Sequence, residues 1–321
     1  MAKLAREPFF VLSAGETQVM HVSFAETSCE LTSAYSTGYW SVWDLNVMRE
    51  RQRVMVSDDP CMYSRKLADN ELVAYSRRHG LTVWDDRGCR IMEIPSSHSG
   101  FCRPSVLKNL AFLPASDSSV KCYDLKARRT SWIKDCQDFV ANKLGLIMCV
   151  EAFALPDESC MVFCGFESGT VILLRGRNSE VTFGGSVNVS QESNPCFSLD
   201  YDPELRLGVA GSSDAVIRAF DTSEDCEILP ECVKKVKLKC AGVNCMKLRF
   251  VEPKMLAVSC WDFGVRIFDW KAEGKLHPVA YCPFHSASIE SLAFSGTPLL
   301  KRKKLFMAAG SMDGKITFWD I

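Results

Sequence analysis

Five histidines and sixteen cysteines are the residues of this 321-residue chain whose chemistry could build a site. A histidine beside a carboxylate or hydroxyl can move protons or activate a nucleophile, and a thiolate can attack or hold a metal. Spacing decides whether they do. The cysteines are scattered without a C-x-x-C pair, and most lie in apolar runs such as SCMVFCGF, which holds Cys160 and Cys164. They read as reduced thiols that pack as small apolar groups. Cys282 and His285 come nearest to a metal fragment, and two ligands are too few. There is no G-x-S-x-G, no phosphate loop ending in Lys-Ser or Lys-Thr, and no H-E-x-x-H. The expectation is therefore a protein that is not an enzyme, with no catalytic residue, metal or cofactor. Of the histidines His21, His79, His98, His277 and His285, the first, third and fifth stand just before or at the start of a strand-like run, a structural setting.

The elements that carry these residues repeat. GYWSVWD, HGLTVWD, SSVKCYD, SGTVILLR, DAVIRAFD, FGVRIFD and DGKITFWD align on the residue before their last position. The register residues are Trp43, Trp84, Tyr123, Leu174, Phe220, Phe268 and Trp319, at steps of 39 to 51 residues. Asp lies six places before the register at Asp117, Asp214, Asp262 and Asp313. A short apolar run precedes each turn, as in LGVAGSS, LAVSC and FMAAGS, so each unit reads as several short strands joined by turns. No stretch keeps helical periodicity beyond about two turns. A short helical turn fits Asp135 to Gly145, and the polar stretch Gly176 to Pro195 reads as a weak outer strand followed by a mobile loop.

The pattern resembles the WD repeat over essentially the whole chain. That resemblance implies an all-β, seven-bladed WD-repeat β-propeller forming a single domain, with blades near 14–57, 58–96, 97–135, 136–190, 191–240, 241–284 and 285–321 plus 7–13. The last repeat reaches Trp319-Asp320-Ile321 at the end of a third strand, so its fourth is expected from the N-terminus, Pro8 to Ser13, closing the ring. In such repeats a loop His, a strand Ser or Thr, a turn Asp and the strand Trp form a hydrogen-bonded chain. Here His285, Asp313 and Trp319 can supply three members, with the hydroxyl left open. The other repeats match poorly and are expected to hold by apolar packing alone.

Three stretches are similar to one group, the G-protein beta-subunit-like protein 1 and ASTRA-associated protein 1 family. They are GFCRPSVL (Gly100 to Leu107), ANKLGLIMC (Ala141 to Cys149) and WDFGVRIFDWKAEGKLHPVAYCPFHSASIESLAF (Trp261 to Phe294). The resemblance implies an adaptor working with the TTT cochaperone complex and its AAA+ ATPase partners in maturation and stability of phosphatidylinositol 3-kinase-related kinases, in cytoplasm and nucleus. No G-protein gamma subunit is expected as partner, because about eight residues precede the first strand-like run and they hold no heptads.

Binding then has to be read from surfaces. Lys plus Arg is 38 and Asp plus Glu 39, a net charge of −1 that argues against nucleic acid, and no run approaches the length of a membrane span. Trp261 sits in the turn of the sixth repeat, where it is either exposed or folded over a neighbouring blade. With Phe263, and with Phe101 and Arg103 in the loop before the third blade, it is the candidate protein-binding face. Trp84-Asp85-Asp86-Arg87 resembles the W-D-x-R box that docks propellers as substrate receptors on a cullin-RING ubiquitin ligase adaptor, which makes Trp84, Asp85 and Arg87 an alternative. The basic runs Lys301 to Lys304 and Lys234, Lys235, Lys237, Lys239 read as a solvated hairpin tip and a protected strand edge.

Overall fold

The structure is a computed structural model that describes residues 6–26, 28–177, 179–190, 194–240, 242–271, 276–299 and 304–321. Lys301 to Lys303 lie outside the described residues. The fold is all-β, of the seven-bladed propeller class, with seven four-stranded antiparallel sheets among the described residues. The chain divides into two compact units.

One unit gathers Met1–Pro95, Lys247–Asp269 and His277–Ile321. It contains blade 1 (Val19–Phe24, Glu30–Tyr35, Tyr39–Asp44, Arg49–Met55), blade 2 (Cys61–Lys66, Leu72–Ser76, Gly80–Trp84, Arg90–Ile94), blade 7 and most of blade 6. In every one the inner strands alternate β-branched and aromatic residues with small ones. Both faces of such strands are buried, as in Glu30–Tyr35 and Leu72–Ser76. Blade 7 puts Ile316 and Phe318 against Val19, Val22 and Leu31 of blade 1. Blade 1 puts Trp40 against Trp84 of blade 2, ring centroids 6.1 Å apart. Polar groups stitch the same seam: His21 Nδ1 lies 3.1 Å from the Ser64 carbonyl, and Lys66 meets the buried Glu30 carboxylate at 2.5 Å.

Blade 7 is built from both ends of the sequence. Its strands are Phe10–Ser13, Lys315–Asp320, Phe306–Ser311 and Ile289–Phe294, in that spatial order. Phe10 faces Phe318 and Ser13 faces Lys315, so the N-terminal strand supplies the fourth strand as the repeat pattern requires. Arg6 extends the clasp by donating to the Asp320 carbonyl at 2.7 Å. In the other six blades the outer strand is bulged opposite the register residue, for example between Val42 and Trp43 and between Ile267 and Phe268. The bulge adds a residue and bends the strand there.

The second unit gathers Ser96–Met246 and Trp270–Leu276 and contains blades 3, 4 and 5. A 3-10 turn, Cys136–Phe139, fills the link expected to hold a helical turn, with Asp135 accepting from the Gln137 backbone at its start. The outer strand of blade 4 departs from expectation. It is Glu180–Asn188, a nine-residue strand rather than a weak one. Gly184 and Gly185 let it press on blade 5, where a Cβ on Gly185 would stand 3.1 Å from the Ile228 carbonyl. The outer strand of blade 5, Ile228–Lys237, ends in lysines, and Lys235 and Lys237 are exposed along its edge. The buried thiols behave as core: burial pushes Cys61 and Cys282 to about 12 and Cys160 to about 11, which removes thiolate character.

Leu12 of the clasp is 3% exposed and packs in the core shared by blades 7 and 1. Leu12→Ala is expected to cost about 2–5 kcal/mol, and removal of residues 1–13 more than that. Thermal melts of both variants check this, and an unchanged Tm for the truncated chain would show that the pairing contributes nothing.

Candidate functional site

His285, Asp313 and Trp319 come together at blade 7, and the hydroxyl that joins them is Thr317. Trp319 Nε1 donates to Thr317 Oγ1 at 2.9 Å, Thr317 Oγ1 lies 2.8 Å from His285 Nε2, and His285 Nδ1 lies 2.9 Å from Asp313 Oδ2. Asp313 can only accept, so Nδ1 carries the proton it receives. Burial alone would raise the Asp313 carboxyl. The hydrogen bond and charge of His285, with the backbone N–H groups of Ser286 and Lys315, outweigh it and hold the group at about 2. All four side chains are committed to one another, which leaves His285 no free nitrogen for catalysis or for a metal with Cys282.

Blades 1, 2, 5 and 6 do not rely on apolar packing alone, contrary to the sequence-based expectation. Blades 5 and 6 keep the turn Asp and place Arg where blade 7 has Thr317. Arg218 reaches Asp214 at 2.5 and 3.1 Å, and Arg266 reaches Asp262 at 2.5 and 2.9 Å. Two parallel charge-assisted bonds do the work of the four-residue chain. The Arg266 guanidinium holds the Asp262 carboxyl below its usual range. In blade 2, Trp84 Nε1 donates to Thr82 Oγ1 at 2.9 Å. In blade 1, Trp43 Nε1 donates to Ser33 Oγ, which donates to the Tyr35 hydroxyl at 2.6 Å. The signal was in the sequence: D-A-V-I-R and D-F-G-V-R carry acid and base four places apart.

The turn of blade 6 is the most distinctive surface. It joins Met255–Cys260 to Val265–Asp269, and its Trp261 and Phe263 are 45% and 40% exposed. Phe263 has φ +63°, in the left-handed region that a bulky residue rarely enters. Five places before the register, blades 1, 4 and 7 all have a left-handed glycine, Gly38, Gly169 and Gly314. Blade 6 has its glycine one place later because a Cβ at Gly264 would stand 2.5 Å from the Tyr281 ring. Tyr281 in turn lies under Arg266, 5.1 Å from ring centroid to guanidinium. The turn is thus braced on both sides: Phe263 N donates to the Cys260 carbonyl at 3.0 Å, and Asp262 is clamped by Arg266. Large aromatic residues are enriched among binding hot spots, which keeps this partly exposed pair as candidate contact residues.

Phe101, 68% exposed, and Arg103, partly buried, belong to the unit of blades 3 to 5, in the link before Ser105–Leu107. Trp84 is buried in the core, and Asp85 Oδ1 accepts from the backbone N–H groups of Arg87 and Cys89, so that box offers Arg87 as its exposed residue.

Two measurements bear on these arrangements. Asp313 is held below its ordinary 3.8, so its contribution is complete above pH about 4 and is lost as pH falls toward about 2. Acid titration of stability should show that loss, and Asp313→Asn should lack it. At Phe263, glycine relieves about 1–2 kcal/mol of left-handed strain, whereas alanine keeps it. Phe263→Gly should therefore melt at or above Phe263→Ala.

Comparisons with known proteins agree with this architecture. The family described as "WD domain, G-beta repeat" matches residues 276–320, which hold the outer strand of blade 6 and three of the four strands of blade 7. The chain is 22% identical to ASTRA-associated protein 1 of Verticillium alfalfae, over 98% of this chain and 92% of that protein. It is 24% identical to guanine nucleotide-binding protein subunit beta-like protein 1 of Mus musculus, over 78% of this chain and 74% of that protein. The chain thus carries a WD repeat at residues 276–320 among its seven four-stranded sheets, and it is similar over most of its length to ASTRA-associated protein 1 and to the G-beta-like protein 1.

Proposed function

We propose that this chain is a non-enzymatic adaptor that works with the TTT cochaperone complex and its AAA+ ATPase partners, in cytoplasm and nucleus. Its role is to promote maturation and stability of phosphatidylinositol 3-kinase-related kinases and, through them, the DNA damage response. The observation that carries an adaptor reading is the braced turn of blade 6, where two large aromatic side chains are held in solvent at a conformational cost. A fold alone does not name a function. Support for the particular partners comes from the relatives, one of which is named for its association with ASTRA and aligns with 98% of this chain. The stretch Trp261 to Phe294, which carries that family resemblance, contains the turn, Tyr281 and His285.

Affinity purification of the tagged chain with mass spectrometry tests the reading. TTT subunits and the ATPases are expected in the wild-type sample and depleted with Trp261→Ala plus Phe263→Gly, at unchanged Tm. Phe101→Ala with Arg103→Ala tests the second patch separately. Recovery instead of a cullin-RING adaptor, lost with Arg87→Ala, would replace this reading with a substrate-receptor role.

A further inference from the structure

The end of blade 6 that carries Trp261 and Phe263 also carries two further rings, one from its outer strand and one from the link to blade 7. Val265 pairs with Cys282, so the residues that follow Cys282 run beside the turn that precedes Val265. Tyr281 and Phe284, both partly exposed, are the rings concerned. Each has a cation over it: Arg266 at 5.1 Å from the Tyr281 centroid and Lys315 Nζ at 5.4 Å from that of Phe284. The four aromatic residues therefore cannot act as a cage for a methylated ammonium group, since the faces of two are already met by the chain's own charges.

The two cations differ in what balances them. Arg266 is neutralised by Asp262 through two bonds. Lys315 makes no ion pair among the described residues. The neighbouring Asp313 carboxylate is taken by His285 and by the backbone of Ser286 and Lys315. An uncompensated ammonium thus sits over the ring of Phe284, in the link beside a turn that exposes a tryptophan and a phenylalanine. A ligand matching that set needs a carboxylate for the ammonium and an apolar side chain for the rings.

Building on the adaptor reading, we infer that this end of blade 6 docks an extended segment of a partner protein in which Asp or Glu stands within a few residues of a large apolar side chain. The cation-π contact places Lys315 over Phe284, and the clamped turn fixes the backbone that carries Trp261 and Phe263. Recognition then costs little ordering on this side of the interface.

Selection of displayed random short peptides on the immobilised full chain tests the inference without reference to any native partner. Enriched peptides should place Asp or Glu near Phe, Leu or Trp. A synthesised winner should lose about tenfold in affinity, about 1.4 kcal/mol, with Trp261→Ala and again with Lys315→Glu, at wild-type Tm. Replacing its acids by lysine should restore binding to Lys315→Glu. Absence of enrichment, enriched peptides without acidic residues, preference for a trimethyl-lysine peptide, or indifference to Lys315→Glu would each overturn it. Recovery of TTT subunits by the wild-type chain is a separate readout, so either idea can fail while the other stands.

Discussion

A carboxylate in the turn between the second and third strands, gripped by a partner side chain, is the contact on which blades 5, 6 and 7 depend. The turn exposes polar backbone while both adjoining strands are buried on two faces. Something must fix the turn before the strands can pack at interior density. Blade 7 grips its Asp313 with His285 and passes the bond on through Thr317 to Trp319. Blades 5 and 6 use Arg218 and Arg266 instead. The two solutions differ in what they leave over. The histidine chain consumes every polar atom it contains, whereas the arginine in blade 6 still has a flat face with which to cover Tyr281.

That difference is what allows blade 6 to present its aromatics. With Arg266 clamping Asp262 and lying on Tyr281, the glycine is drawn to position 264, and the left-handed residue becomes Phe263. Backbone strain that blades 1, 4 and 7 avoid with glycine, and that blade 5 shares at Ala215, is tolerated here because the surrounding bonds over-determine the turn. The candidate contact surface is therefore a local variation in the same device that holds the blade together.

Much of this was legible in the residues, and the gaps have physical causes. Aromatic-Asp pairs recurring at about blade length announced the seven sheets, and the stop after Trp319 called for a strand from Phe10–Ser13. Thr317 stayed open because a threonine inside a strand reads equally as a β-former and as a hydroxyl partner. Arg218 and Arg266 were passed over because alternation in a strand makes a charged residue look solvent-facing, yet Arg218 is 3% exposed. Glu180–Asn188 looked weak because an outer strand is held by its hydrogen bonds to one neighbour and can be polar. The left-handed conformation of Phe263 could be read only by comparing the same register place across blades, where glycine stands in blades 1, 4 and 7.

The pairing of Phe10–Ser13 with Lys315–Asp320 also sets a timetable. Partners separated by nearly the full chain meet late, since a closure of that length is slow and unrewarded until both strands exist. At ribosomal speeds of roughly 5–20 residues per second, the segment FFVLS leaves the ribosome on the order of 15–60 s before its partner does. During that interval a short apolar strand with unmet backbone groups is a natural ligand for holding chaperones. The last blade can therefore close only once Lys315–Asp320 has been made.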